Sequence, residues 1–252
     1  DHLATSTSDA NKPISTATQT ALDAKRLGIN SQTMSEVEEN FIGGWTGVNG
    51  QSYGNGSLSW YSLQSGSSGL GSNFSETNKP SAVIFQAISG SQIAQLLSCR
   101  ISAGTSTQVG SEFEFNFKLV TTGANGRFFV GYRNYISATE TTMRGLFLDR
   151  VAGDTAWQAI HQNAAGTQTK TTTGKTFVSG EWVWCKVKIV STTQTDITIA
   201  TASSQTETTI SMTTGYADSG TTTIGWKLES TTADTQLLYV TRFVARLVRT
   251  RF

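Results

Sequence analysis

Glu112-Phe113-Glu114-Phe115-Asn116-Phe117-Lys118-Leu119 alternates without a break, every odd-numbered residue apolar and every even-numbered one polar. Successive side chains of a strand point to opposite faces, so a period of two describes a strand with one face in a core and the other toward water. Shorter stretches of the same kind recur on either side of it, at residues 58–63, 81–87, 127–133, 144–150, 156–161, 182–190, 196–202, 223–228 and 237–248. Between them fall turn formers: Gly123-Ala124-Asn125-Gly126, Gly153-Asp154, Gly166, Gly174, Ser179-Gly180 and Asp218-Ser219-Gly220. About ten strands punctuated in this way predict an antiparallel sandwich or barrel.

Composition agrees. The 252 residues include 40 Thr and 29 Ser; Thr is β-branched and suits a pleated surface, while Ser and Gly suit turns. With 19 basic and 18 acidic side chains the net charge is +1, which offers no basic footprint for nucleic acid or an anionic membrane. The longest apolar runs, such as Ala82-Val83-Ile84-Phe85, fall far below the roughly 20 residues of a membrane-spanning helix. No nucleic-acid partner and no membrane insertion are expected. Cys99 and Cys185 lie far apart in strand-like text and read as buried free thiols, which suits assembly in a reducing cytoplasm. His2 and His161 are the only histidines, which excludes most two-imidazole mechanisms.

Residues 1–40 differ from the rest, with six acids, three basic residues and hardly an aromatic, and they read as an N-terminal attachment and oligomerisation segment ahead of a sandwich over 41–252. Ser15 can cap a short helix that runs to Leu27 and stops at Gly28. A second helical spacing follows at Met34, Val37 and Phe41. Helices this thin need a neighbour, so Leu22, Leu27, Met34, Val37 and Phe41 are the expected oligomer interface. At the other end, Arg242, Arg246, Arg249 and Arg251 follow the last acid, Asp234. They read as a solvated face or as partners across a subunit contact.

Two resemblances bear on function. The text from Ala4 through Ala17, Thr5-Ser6-Thr7-Ser8-Asp9-Ala10-Asn11-Lys12-Pro13-Ile14 within it, continuing Gln19-Thr20-Ala21-Leu22-Asp23-Ala24-Lys25, resembles a linker that recurs in tail-fibre proteins of tailed bacteriophages. The last 140 or so residues look like the concanavalin-like jelly-roll domains found at the ends of virion structural proteins. The matching features are the 144–150 strand, Gly153-Asp154 leading to Trp157, the Thr-rich 167–176, Ser179-Gly180-Glu181-Trp182 and the closing 239–247 run. The resemblance implies an all-β jelly-roll sandwich behind a short extended or helical N-terminal segment. It further implies a homotrimeric tail fibre or adhesin on the virion surface, joined to another virion protein through its N-terminal segment and bound to a host cell-surface glycan. A head fibre, capsid decoration or neck protein with a purely structural role is the alternative, and a polysaccharide depolymerase a more distant one.

The candidate chemistry is sparse. Glu112 and Glu114 resemble the alternating acids of jelly-roll glycanases, and two carboxylates on one strand face can lean to the separation of about 5–5.5 Å that retention requires. The next position is Asn116, which neither donates nor accepts a catalytic proton, so these residues read as a polar strand face and no enzymatic activity is expected. Sugar recognition combines an aromatic face with planar polar groups. Tyr132, Arg133, Asn134 and Tyr135, with Trp157 and His161 on a neighbouring strand, form the densest such set and are the expected glycan-binding residues; packing of Tyr132 and Trp157 in the core is the alternative reading. Trp182, Trp184 and Trp226 are expected to pack, and Trp45 is a candidate for exposure. Asp149, Asp154 and Asp218 offer oxygen ligands, but no loop has the spacing of a calcium motif, so neither metal nor cofactor is expected.

Overall fold

The structure, a computed structural model, describes residues 32–40, 52–54, 59–64, 69–74, 82–87, 92–98, 109–121, 123, 125–136, 139–163, 166–213, 222–230 and 235–250. For strand residues up to 98, and for 133–136, 139–142, 222, 223, 247, 249 and 250, it describes the backbone and its pairing. The described strands are β1 (Gln32–Asn40), β2 (Ser52–Gly54), β3 (Ser59–Gln64), β4 (Gly69–Phe74), β5 (Ala82–Ala87), β6 (Gln92–Ser98), β7 (Glu112–Thr121) and β8 (Gly126–Ile136). They continue with β9 (Thr139–Asp149), β10 (Ala156–Gln162), β11 (Gln168–Thr176), β12 (Trp182–Ile189), β13 (Thr195–Thr201), β14 (Thr208–Met212), β15 (Thr222–Ser230) and β16 (Gln236–Thr250).

They form two antiparallel sheets. Sheet A runs β14, β13, β12, β7, β16, β5, β4, with β1 also on β16; sheet B runs β11, β10, β9, β8, β15, β6, β3, β2. At 15 residues β16 is long enough to hold β5 against 236–240 and β1 against 242–250 on one edge, while β7 occupies the other. The described residues form an all-β jelly-roll sandwich: the period of two predicts the sandwich, and the resemblance implies the jelly roll.

Its core is the apolar parity of those strands. Phe113, Phe115 and Phe117 of β7 and Val183, Cys185, Val187 and Ile189 of β12 face Phe128, Val130 and Tyr132 of β8, Trp157 of β10 and Trp226 of β15. The Phe115 ring meets Trp226 edge-on at 5.4 Å, and Phe117 meets Trp157 edge-on at 5.8 Å, so the sheets interlock through aromatic pairs. Each fully buried ring contributes on the order of 2–3 kcal/mol. Burial pushes the Cys185 thiol far up and leaves it an inert core group; Cys99 lies outside the described residues.

Three local expectations change. Gln32–Asn40 is a strand rather than a helix, with Met34 opposite Val248 and Val37 opposite Ala245. Positions of unlike parity fall on opposite faces of a strand, so Met34 and Val37 do not share one stripe. Phe41, Leu22, Leu27 and the helix expected from Ser15 lie outside the described residues. Gly174 sits inside β11 at φ +72°, beside the irregular pairing with β10, and marks a bulge rather than an end. Gly131 and Gly145 pair across β8 and β9 in a rung that tolerates nothing larger, since a Cβ on either would lie 2.3 or 2.1 Å from a backbone oxygen of the other strand.

One buried cation crosses the core. Arg144 of β9, fully buried, donates to Thr195 Oγ1 at 2.9 Å and to the Thr192 carbonyl at 3.2 Å, fastening sheet B to the start of β13. Its cross-strand neighbour is His161. Burial first, and the Arg144 charge second, lower the His161 pKa from 6.5 to about 4. Between those values the unfolded chain binds the extra proton, so stability is intact above pH 6.5 and is lost as pH falls toward 4. Urea unfolding should show a loss of up to about 3 kcal/mol over that interval from this group, and His161→Gln should flatten that part of the slope.

Candidate ligand-binding face

The parity that buries Phe113, Phe115 and Phe117 turns Glu112, Glu114, Asn116 and Lys118 to the outer face of sheet A. On β12 the same rule buries Val183, Cys185 and Val187 and leaves Trp182, Trp184 and Lys186 half-buried on that face. A bulge in β16 between Val240 and Arg242 keeps the alternation in step, so that Tyr239, Arg242 and Arg246 also face outward. Register then composes the face rung by rung. Tyr239, Lys118 and Trp182 lie side by side; next come Arg242, Asn116, Trp184 and Ala200; next Val244, Glu114, Lys186 and Thr198; then Arg246, Glu112, Lys188 and Asp196.

Trp182, Asn116, Trp184 and Ala200 of the first two rungs, with Ala202 and Gln205 beyond β13, line a depression of about 300 Å³. It exists because Ala200 and Ala202 carry only methyl groups beside two indoles. The Lys118 ammonium lies 5.1 Å from the centre of the Trp182 ring and 4.6 Å from that of Tyr239, and the Lys186 ammonium 5.6 Å from that of Trp184. Each of these cations lies over one face of its ring. Aromatic planes, side-chain amides and hydroxyls thus converge on one shallow, solvent-facing surface, the chemistry of a site for a polyhydroxylated ring.

Glu112 and Glu114 form more than a solvated face, since they share a cation. Arg246 Nη1 lies 2.8 Å from Glu112 Oε1 and also bonds Glu114 Oε1. One guanidinium engages both carboxylates, and a carboxylic acid poised to protonate a leaving group would compete with it for the same oxygens. Register places Glu36 of β1 opposite Arg246 as well.

The glycan-binding residues expected from the sequence are not brought together on a surface. Tyr132, Trp157 and His161 are buried between the sheets, where Tyr132 stacks on Phe113 at 6.1 Å and Trp157 packs against Phe117, Phe128 and Phe177. The core reading of the two aromatics is the correct one. Arg133, Asn134 and Tyr135 continue β8 opposite Thr223, Thr222 and β9, and their side chains lie outside the described residues, as does Trp45. Trp226 packs in the core as expected, whereas Trp182 and Trp184 lie half-buried on the outer face. The sequence held the signal that finds them, since both share the parity of Lys186 and Lys188 rather than of Val183 and Cys185.

A second depression, about 240 Å³ on the outer face of sheet B, is lined by Arg127, Phe129, Phe147, Asp149, Lys227 and Glu229. Its charges are spent on one another: Arg127 lies 3.2 Å from Asp149 and 3.5 Å from Glu229, and Lys227 lies 3.4 Å from Glu229. Lys170 lies over the Phe147 ring at 4.7 Å. A ligand there would have to displace those pairs, and the pair of half-buried indoles lies on the sheet A face. Asp149 and Asp154 are similarly engaged: Asp149 Oδ1 accepts from the Ala152 amide and Asp154 Oδ2 from the Asp149 amide. Among the described residues no group of three or more His, Cys, Asp or Glu is placed to hold a metal.

No family model matches the sequence, and no curated protein is similar to it. Solved structures share the fold. A protein of unknown function from Shewanella oneidensis MR-1 superposes with a TM-score of 0.63 at 16% identity, over 96% of this chain and 98% of that one. Lectin II from Ulex europaeus gives 0.50 at 9% identity over 85% and 98%, and a seed lectin of Lotus tetragonolobus 0.50 at 10% over 86% and 100%. The chain therefore has the concanavalin-like sandwich of legume-lectin type.

The ion-pair triad yields a stability prediction. Arg246→Gln leaves two carboxylates on one strand face without their shared cation and should cost about 1–2 kcal/mol in urea unfolding at neutral pH. Glu114→Gln in that background should recover part of the loss; no recovery would mean that the arginine acts through packing alone.

Proposed function

We propose that this protein is a carbohydrate-binding β-sandwich that seats a saccharide ring against Trp184 and Trp182 on the outer face of sheet A. The observation that carries this reading is the pair of half-buried indoles two residues apart on β12, bordering a depression rimmed by the Asn116 and Gln205 side chains. An indole face covers the apolar side of a pyranose, and amides bridge neighbouring hydroxyls. The lectins of similar fold are consistent with it.

The setting in this proposal is a homotrimeric bacteriophage tail fibre or adhesin on the virion surface, held to another virion protein by its N-terminal residues. Support comes from the linker-like text at 4–25 and from the shallowness of the site. A shallow site binds weakly, and three copies raise avidity through effective concentration.

Retardation of the purified chain in gels containing bacterial surface polysaccharides tests the binding, with Trp184→Ala expected to weaken retention about tenfold by loss of one stacking contact. Failure of every polysaccharide to retard the protein sinks the reading. Light scattering should give three chains per particle; a monomer would contradict the trimer and leave the binding face standing. A decoration or neck component with a purely structural role would leave host cells uncoated.

A further inference from the structure

One border of the depression is a turn with no regular structure of its own. β13 ends at Thr201 and β14, an edge strand, begins at Thr208. The chain between them closes on itself: the Ser204 amide donates to the Thr201 carbonyl and the Thr201 amide to the Ser204 carbonyl, both at 3.1 Å. Ala202 and Gln205, which line the depression, belong to this turn. Two charged side chains from outside hold it. Glu181, at the entry to β12, accepts from the Ser203 amide through Oε1 at 2.6 Å. Lys175 of β11 donates to Ser204 Oγ and to the Thr206 carbonyl, each at 2.7 Å, so its ammonium grips the chain on both sides of Gln205. Bonds to a charged partner are the stronger kind, and three of them converge on four consecutive residues.

A bulge brings Lys175 to the turn. Between the pairs Gln158–Thr172 and Ala156–Thr176 the ladder slips, so that Thr173, Gly174 and Lys175 stand against Trp157 alone, and Gly174 takes the φ of +72° that this requires. Lys175 is thereby half-buried in a strand that is otherwise mostly exposed. Resting on the carbohydrate reading above, we propose that Lys175 and Glu181 are positioning residues of the saccharide site. Neither lines the depression; together they hold Gln205 beside Trp182 and Trp184 before a ligand arrives. A turn that had to be ordered on binding would subtract its entropy from the affinity, whereas one ordered in advance does not. A shallow site, with few contacts to offset that cost, depends on such support.

The test combines affinity electrophoresis of the full chain, in gels containing purified lipopolysaccharide or capsular polysaccharide, with amide hydrogen exchange. Lys175→Met and Glu181→Ala should each weaken retention about tenfold, the cost of ordering a turn that the wild type holds ready. Glu181→Gln keeps an oxygen that can accept from the Ser203 amide and should recover most of the retention, which a role through charge would not allow. Without ligand, exchange of the Ser203 and Ser204 amides should quicken in Lys175→Met and Glu181→Ala while that of the β7 and β12 amides stays slow. Wild-type retention in both variants overturns the positioning role and leaves carbohydrate binding intact. A loss in Glu181→Gln as large as in Glu181→Ala overturns it too, as does exchange quickened throughout the sandwich, which would mean that the variants act by loosening the fold. Failure of every polymer to retard the wild type removes the carbohydrate reading, and the positioning role with it.

Discussion

The strict alternation of β7 is the constraint on which the rest of the structure depends. Its odd residues, Phe113, Phe115 and Phe117, are fully buried and interlock the two sheets, and its even residues, Glu112, Glu114, Asn116 and Lys118, thereby form the middle row of the opposite face. Core and candidate site are two sides of one pleat. A slip of one residue would put three phenylalanines in water and two glutamates among aromatic rings, so the packing energy that fixes the fold also fixes which residues meet on the outer face. Trp184 beside Asn116, and Arg246 beside Glu112, follow from that register.

Much of the architecture was legible because a half-buried strand writes its burial into its sequence. The nine flanking stretches read from the alternation all fall on strands, from β3 and β5 through β16. The strands that escaped notice have a physical reason to do so. β11 is an edge strand, Gln-Thr-Lys-Thr-Thr-Thr-Gly-Lys-Thr, and only Thr173 in it is buried, its hydroxyl donating to the Trp157 carbonyl at 2.8 Å. With no face in the core it carries no apolar alternation. β14, an edge strand of sheet A, is short and contributes Ile210 and Met212. β1 was misread because Met34 and Val37 are three apart, which fits one helical face. What makes 32–40 a strand is pairing with the far end of the chain, and a nearest-neighbour reading cannot see it.

The candidate site was less legible than the fold. The sequence pointed to the glutamates of β7 but not to Arg246, which lies more than 130 residues away and converts them from a possible acid pair into a closed ion cluster. Aromatic density pointed to Tyr132 and Trp157, which the sandwich needs in its interior. Parity is the better guide: an aromatic in step with valines is core, whereas Trp182 and Trp184, in step with lysines, are surface. The depression follows from something smaller still, the methyl side chains of Ala200 and Ala202, which leave room beside the indoles.

The account thus places a ring-stacking surface on the polar side of the strands that build the core, with Glu112 and Glu114 bound to Arg246 and Lys118 and Lys186 against the indoles. Its most direct test is the indole NMR spectrum of the ¹⁵N-labelled protein, assigned by single Trp→Phe variants, during titration with oligosaccharides released from a bacterial capsule. The account predicts that the Trp182 and Trp184 indole resonances move together and saturate while those of buried Trp157 and Trp226 stay in place. A saturating interaction, visible in the line widths of the oligosaccharide, that leaves the Trp182 and Trp184 resonances unmoved would contradict it.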